Sequence, residues 1–177
     1  MPQYSFKGIS PEIHSGVYIA PSADIIGKVI LEENSNIWHQ CVARGDVNWI
    51  RVGKNTNVQD LTMLHVTKDF ALTIGSEVSI GHSVTLHGCT IGDHCLIGMG
   101  AIIMDGAVIG EHCVVAAGSL VPPGKQYPAG SMIMGNPAVV KRELTSDEKN
   151  LFGNHYKAYV GYKDEYLDSN LVKKLDF

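Results

Sequence analysis

The sequence predicts a mainly β protein: a parallel β-helix of hexapeptide repeats followed by a C-terminal α-helix. Three observations carry this prediction. Aliphatic residues recur every six positions, the next residue is repeatedly glycine, and the position four beyond the aliphatic one is small or β-branched. A six-residue period belongs to neither an amphipathic helix nor a coiled coil, and it marks a stack of short structural units.

The aliphatic positions run Ile19, Ile25, Leu31, Ile37, then Val52, Val58, Leu64, then Ile74, Ile80, Leu86, and finally Ile91, Ile97, Ile103, Ile109, Val115, Val121. Glycine follows in Ile26-Gly27, Val52-Gly53, Ile74-Gly75, Ile80-Gly81, Ile91-Gly92, Ile97-Gly98 and Ile109-Gly110, where a turn of unusual φ/ψ is expected. The small positions are Ala23, Val29, Ser35, Cys41, Thr56, Thr62, Val78, Val84, Cys95, Ala101, Ala107, Cys113 and Ser119. If both sets face inward, three hexads close a triangular coil of about 18 residues, and stacked coils form a packed prism.

After Val121 the hexads are expected to stop, with Pro122, Pro123, Gly124 and Tyr127 through Gly130 forming closing turns. Thr145 and Glu148 have capping-box spacing, so a helix is expected from there to about Asp168, lying on the outside of its own or a neighbour's prism. The expected division is 1–140 for the β-helix with its terminal loops and 141–177 for the helix and tail.

The chain has 177 residues, 45% of them hydrophobic, enough for one sizeable core. Its 14 basic and 18 acidic residues are dispersed, so neither nucleic acid nor an anionic membrane is an expected partner. Met1 to Ser10 does not read as a charged leader before an apolar run, and a cytoplasmic location is the expectation. Cys41, Cys95 and Cys113 fall at the small inward position and read as buried thiols, while Cys89 beside a histidine cluster is left open.

A prism filled with aliphatic side chains has no central room for catalysis, so chemistry must use outward positions. Of the eight histidines, His65 follows Leu64 and His87 follows Leu86, so both point outward and stack one coil apart at the same corner. His82 lies around a corner on a neighbouring face, so a single subunit should not close the triad. With threefold packing, His82 of one subunit can meet His65 and His87 of another. Three imidazoles with an open position suit catalytic zinc, which lowers the pKa of bound water to about 7; zinc, ferrous iron and cobalt all accept such ligands. Outward histidines can equally be solvated or buried at a subunit contact. His94 and His112 also stack, in Gly-Asp-His and Gly-Glu-His turns, and read as solvated corner residues.

Ala43 to Asp46, Asn57 to Asp60, Leu64 to Val66, Gly81-His82 and Leu86 to Gly92 resemble the ordered motifs of the γ-class carbonic anhydrase family over nearly the whole chain. The resemblance implies a homotrimer of left-handed β-helices, with Zn2+, or alternatively Fe2+ or Co2+, between subunits. It implies His65, His82 and His87 as metal ligands, with Gln59 and Asp60 near the metal-bound water. Arg44 and Asp46 would form cross-subunit pairs and help order the bicarbonate site. The implied reaction is reversible hydration of CO2 to bicarbonate by a metal-bound hydroxide. Some members carry an acidic proton-shuttle loop after the first metal histidine and a glutamate after the Arg-Gly-Asp motif; here Thr67 to Ala71 and Val47 stand in those places, which implies slow turnover. Asp69 or Tyr159 is the expected substitute.

Two alternatives remain. Hexad prisms commonly bind coenzyme A between coils, so an acyl-CoA thioesterase or acyltransferase with a histidine base is one. A non-catalytic trimer that keeps the metal for assembly is the other.

Overall fold

The computed structural model describes residues 3–173 and 175; the expected tail therefore lies outside the described residues at 174, 176 and 177. The hexads build a left-handed parallel β-helix of about seven turns with three flat faces. The first face stacks Tyr18–Ile19, Asn36–Ile37, Asn57–Val58, Ser79–Ile80, Leu96–Ile97, Val114–Val115 and Ser131–Gly135. The long strands Asp24–Leu31 and Val42–Val52 bend over a corner and contribute to both remaining faces. The second face continues with Met63–His65, Thr85–His87, Ile102–Ile103 and Leu120–Val121. The third continues with Leu72–Ile74, Thr90–Ile91, Val108–Ile109 and Gln126–Tyr127.

Register explains the core. Ile19 pairs with Ile37, Ile37 with Val58, Val58 with Ile80, Ile80 with Ile97, and Ile97 with Val115, so like residues form a column along the axis. These side chains and the small column beside them, Ala23, Cys41, Val84 and Ala101 among them, are almost wholly buried. Two inward hydroxyls are satisfied by the next coil: Thr56 Oγ1 donates to the Gly75 carbonyl at 2.7 Å and Thr62 Oγ1 to that of Gly81 at 3.1 Å. All four cysteines are free and buried, Cys89 included, and burial pushes the Cys41 and Cys89 thiols up to about 12.

Two expectations are corrected. Gly27 has the left-handed backbone expected of it, at φ +73, but the other glycines after the aliphatic positions do not; there it falls two residues later, at Asn55, Glu77, His94, Gly100 and His112. Glycine is needed earlier because coils touch there: a Cβ on Gly98 would lie 2.4 Å from the Ala117 nitrogen, and one on Gly53 2.4 Å from the Gly75 oxygen. The hexads also do not stop at Val121. Tyr127 pairs with Ile109 and Ile133 with Val115, completing the last coil. A large aromatic, with its hydroxyl donating to the Ala138 carbonyl at 2.8 Å, replaces the aliphatic residue and hides the period.

The stack ends where Ser131–Gly135 turns into the antiparallel strand Ala138–Glu143. The C-terminal helical segment divides into α1, Ser146–Gly153, and α2, Tyr156–Leu167. Thr145 and Glu148 form the capping box. Helix α2 lies on the first face of its own prism, where Trp38 packs against Tyr18, Tyr159 and Tyr166 with ring centroids 5.3, 5.6 and 5.0 Å apart.

Candidate metal centre

His65 and His87 are paired across adjacent coils of the second face. Their ring nitrogens, His65 Nδ1 and His87 Nε2, stand 3.0 Å apart. Each ring is held from its other side by a carboxylate. Asp46 Oδ1 lies 3.1 Å from His65 Nε2, and Asp105 Oδ1 lies 2.7 Å from His87 Nδ1. Carboxylates in this position fix ring orientation and raise the basicity of the free nitrogen.

The surroundings tighten this pair. Arg44 forms an ion pair with Asp46 of its own chain. Burial pushes the Asp46 carboxyl up, but the hydrogen bonds from His65 and Arg44 and the guanidinium charge outweigh it and hold the carboxyl below its usual range. Gly88 has φ +52, and a Cβ there would lie 2.5 Å from Asp105 Oδ1 and 2.8 Å from the Phe70 Cβ. Glycine therefore lets the carboxylate reach His87 and lets the loop after Val66 fold over the same spot.

His82 is on the first face, following the strand Ser79–Ile80, and its Nδ1 lies 2.9 Å from Asp60 Oδ2. Asp60 also accepts from the His39 backbone N–H at 3.2 Å. Beside His82 runs a groove of about 320 Å³ whose walls include Gln59, Gly98, His155 and Tyr159. Burial first, then the Asp60 and Tyr162 charges, push the Tyr159 hydroxyl above its ordinary value, so it keeps its proton at neutral pH.

The structure thus divides the expected site residues into two half-sites. Arg44, Asp46, His65 and His87 share the second face; Gln59, Asp60, His82 and Tyr159 share the first. Among the described residues of this single chain, no three His, Cys, Asp or Glu side chains gather closely enough to hold a metal ion. Sequence reasoning missed Asp105, although its position one 18-residue coil after His87 was a usable signal. It also placed His94 and His112 in solvent. Their rings are stacked at 4.6 Å, and His112 Nδ1 is buried beneath Gly153 of α1 with no hydrogen-bond partner among the described residues.

Residues 88–123 match the family model described as bacterial transferase hexapeptide (six repeats). Protein YrdA of Escherichia coli is 46% identical over 92% of each chain. A probable carbonic anhydrase of Methanocaldococcus jannaschii is 46% identical over 84% of this chain and 93% of that protein. The chain belongs to the γ-class carbonic anhydrase family. Within this family's wider fold, a crystal structure from Bacillus cereus described as a putative acetyltransferase superposes with a TM-score of 0.91, at 41% identity over 93% of this chain and 95% of that one.

Do the residues fit a metal of the kind the family implies? Two nitrogens bound to one tetrahedral zinc at about 2.0–2.1 Å each stand roughly 3.3 Å apart. The observed 3.0 Å between His65 Nδ1 and His87 Nε2 is close to that edge, and both opposite nitrogens are engaged by carboxylates. His65 and His87 fit two ligand positions, and His82 presents Nε2 away from Asp60.

Proposed function

We propose that this protein catalyses the reversible hydration of CO2 to hydrogen carbonate. His65 and His87 of one protomer and His82 of the partner subunit would hold Zn2+, or alternatively Fe2+ or Co2+, between the subunits of a homotrimer. The observation that carries this reading is the pair His65 and His87, each hydrogen-bonded to a carboxylate through one ring nitrogen and facing the other at 3.0 Å through the second, with His82 beside Asp60 on another face. When bound, the ion supplies Lewis acidity and a water that ionises near neutral pH.

The chain's own residues do the rest. Asp46 and Asp105 aim His65 and His87, and the Asp60 carboxylate stands beside His82. The Gln59 amide accepts from and orients a hydroxyl in the groove, while Arg44 supplies positive charge for the product anion. Tyr159, kept protonated by burial, lines the path by which the proton leaves, with Asp69 of the exposed loop a second carrier. The reaction balances as CO2 plus water giving hydrogen carbonate and one proton released to buffer.

A second reading, acyl transfer or thioester hydrolysis on coenzyme A derivatives, draws support from the Bacillus cereus structure described as a putative acetyltransferase. One experiment separates them: metal content and molar mass of the protein purified anaerobically without chelator, compared with His82→Ala, followed by a CO2 hydration assay. About one metal per chain in a trimer, lost in His82→Ala together with hydration, is expected. A metal-free wild type that takes up neither zinc, cobalt nor ferrous iron removes the hydration reading and directs the search to acyl-CoA.

A further inference from the structure

Under helix α2, the first face carries a file of polar side chains whose hydrogen bonds all run one way. Asn57 Nδ2 reaches the Val78 carbonyl at 3.4 Å and Ser79 Oγ at 2.8 Å. A carbonyl can only accept, so this end of the Asn57 amide is its NH2 and the other end is its oxygen. Gln59 must then donate: its Nε2 lies 3.0 Å from Asn57 Oδ1. Ser79 is buried and already accepts from Asn57, so its own proton needs an acceptor. His155 Nδ1, 3.2 Å away, is that acceptor. The chain of donors is Gln59 to Asn57 to Ser79 to His155.

The two ends open into one groove, since Gln59 and His155 both line the cavity that holds His82. Their polarity there follows from the file. Gln59 has committed its NH2 inward and offers Oε1, an acceptor. Neutral His155 accepts at Nδ1 and therefore carries its proton on Nε2, a donor. His155 can do this because the break between α1 and α2 sets it at the N-cap of α2, over Ser79.

We infer that the groove is a two-point site for a protonated oxyanion, with Gln59 Oε1 accepting from the ligand's hydroxyl and His155 Nε2–H donating to its anionic oxygen. The assignment of the ligand as hydrogen carbonate rests on the proposed hydration reaction; the donor and acceptor pattern does not. An anion lacking a hydroxyl, such as nitrate, satisfies His155 but leaves Gln59 without a donor. His155 is thereby a binding residue, and Asn57 and Ser79 are positioning residues that act through it and through Gln59.

The test uses the metal-loaded, assembled protein at pH 8, where the anion binding of the groove is followed by the NMR shift of the Met99 methyl, which lies on its wall. Wild type is titrated with hydrogen carbonate and with nitrate, alongside His155→Ala, Ser79→Ala and Gln59→Leu. Wild type should prefer hydrogen carbonate about tenfold, His155→Ala should weaken both anions about tenfold, and Gln59→Leu should erase the preference, as expected for losing one hydrogen bond to a charged or buried group. Ser79→Ala should weaken both anions in the same sense as His155→Ala. No Met99 shift in wild type, or unchanged affinities in His155→Ala, overturns the inference. If wild type hydrates CO2 while His155→Ala binds as wild type does, the inference fails and the hydration reading stands. If the preference is found in a wild type that does not hydrate CO2, the groove assignment stands and the hydration reading fails.

Discussion

Asp105 Oδ1 approaches His87 Nδ1 at 2.7 Å from the next coil of the prism, reaching across the bare backbone of Gly88. The contact joins two turns of the helix at one imidazole and leaves Nε2 of that ring to face His65.

Replacing Asp105 with asparagine should therefore damage the proposed metal site without unfolding the chain. Loss of such an outer partner typically costs 10–100-fold in metal affinity. Competition with a chromophoric chelator would measure it, with circular dichroism as the control for folding. Wild-type affinity in Asp105→Asn would show that the carboxylate does not orient His87 for binding.

Glycines on the same turn should differ sharply in tolerance. Gly100 has φ +69 with nothing within 4 Å of where a Cβ would stand, so Gly100→Ala carries only the left-handed penalty of about 1–2 kcal/mol. Gly98 lacks the positive φ, but its Cβ would strike the Ala117 nitrogen at 2.4 Å. Gly98→Ala should itself cost roughly 1–3 kcal/mol of overpacking, at the upper end of that range because the atom struck is backbone, and so more than Gly100→Ala. Urea denaturation of the two variants gives the comparison, and equal midpoints would refute the close-approach explanation.

The helical cap should weaken in acid. Arg142 Nη1 and Nη2 each donate to Glu148 at 2.7 Å, and the Thr145 N–H donates at 2.9 Å. The Arg142 bonds first, then that of Thr145, lower Glu148 from 4.5 to about 2. A carboxyl lowered by folding stabilises the fold fully above its unfolded value and loses that contribution as pH falls through the folded one. The gap in thermal midpoint between wild type and Glu148→Gln should thus be full above pH 4.5 and close towards pH 2. A gap that is flat over this range would count against the ion pair.

Trp38 should anchor α2. It meets both Tyr159 and Tyr166 of that helix, and its indole N–H donates to Asn36 Oδ1 at 2.7 Å. Trp38→Ala should cost about 3–5 kcal/mol, and amide hydrogen exchange should show α2 opening ahead of the coils. Uniform loss of protection across prism and helix would mean that α2 and the coils unfold as one unit.

The prism is legible in the sequence because its core is periodic. A residue such as Ile97 is inward for the same reason as Ile80 and Val115, so six-residue spacing is itself the contact map. The limit comes at Tyr127, where an aromatic takes an aliphatic position and the last coil reads as loop. The placement of His65 and His87 on one face and of His82 on another follows from the same counting. Counting also puts Asp105 one coil beyond His87 but not its carboxylate on the ring, and it does not reach His155 at all. Asp105 sits in a turn whose side-chain direction depends on Gly88, and His155 depends on where one helix ends and another begins, which hydrophobic spacing alone does not locate.

The final hairpin has a significance beyond closing the core. A column of parallel coils presents, at each end, backbone groups that could accept another coil from another molecule, and repetition of that step would build a filament. Ala138–Glu143 runs antiparallel to the last strand of the first face and is largely exposed, with Lys141, Arg142 and Glu143 along it. A newcomer would meet a strand of the wrong direction carrying charge. The reversal of chain direction at Asn136 and Pro137 thus works as a terminator of self-assembly on that face, keeping a repetitive sequence finite.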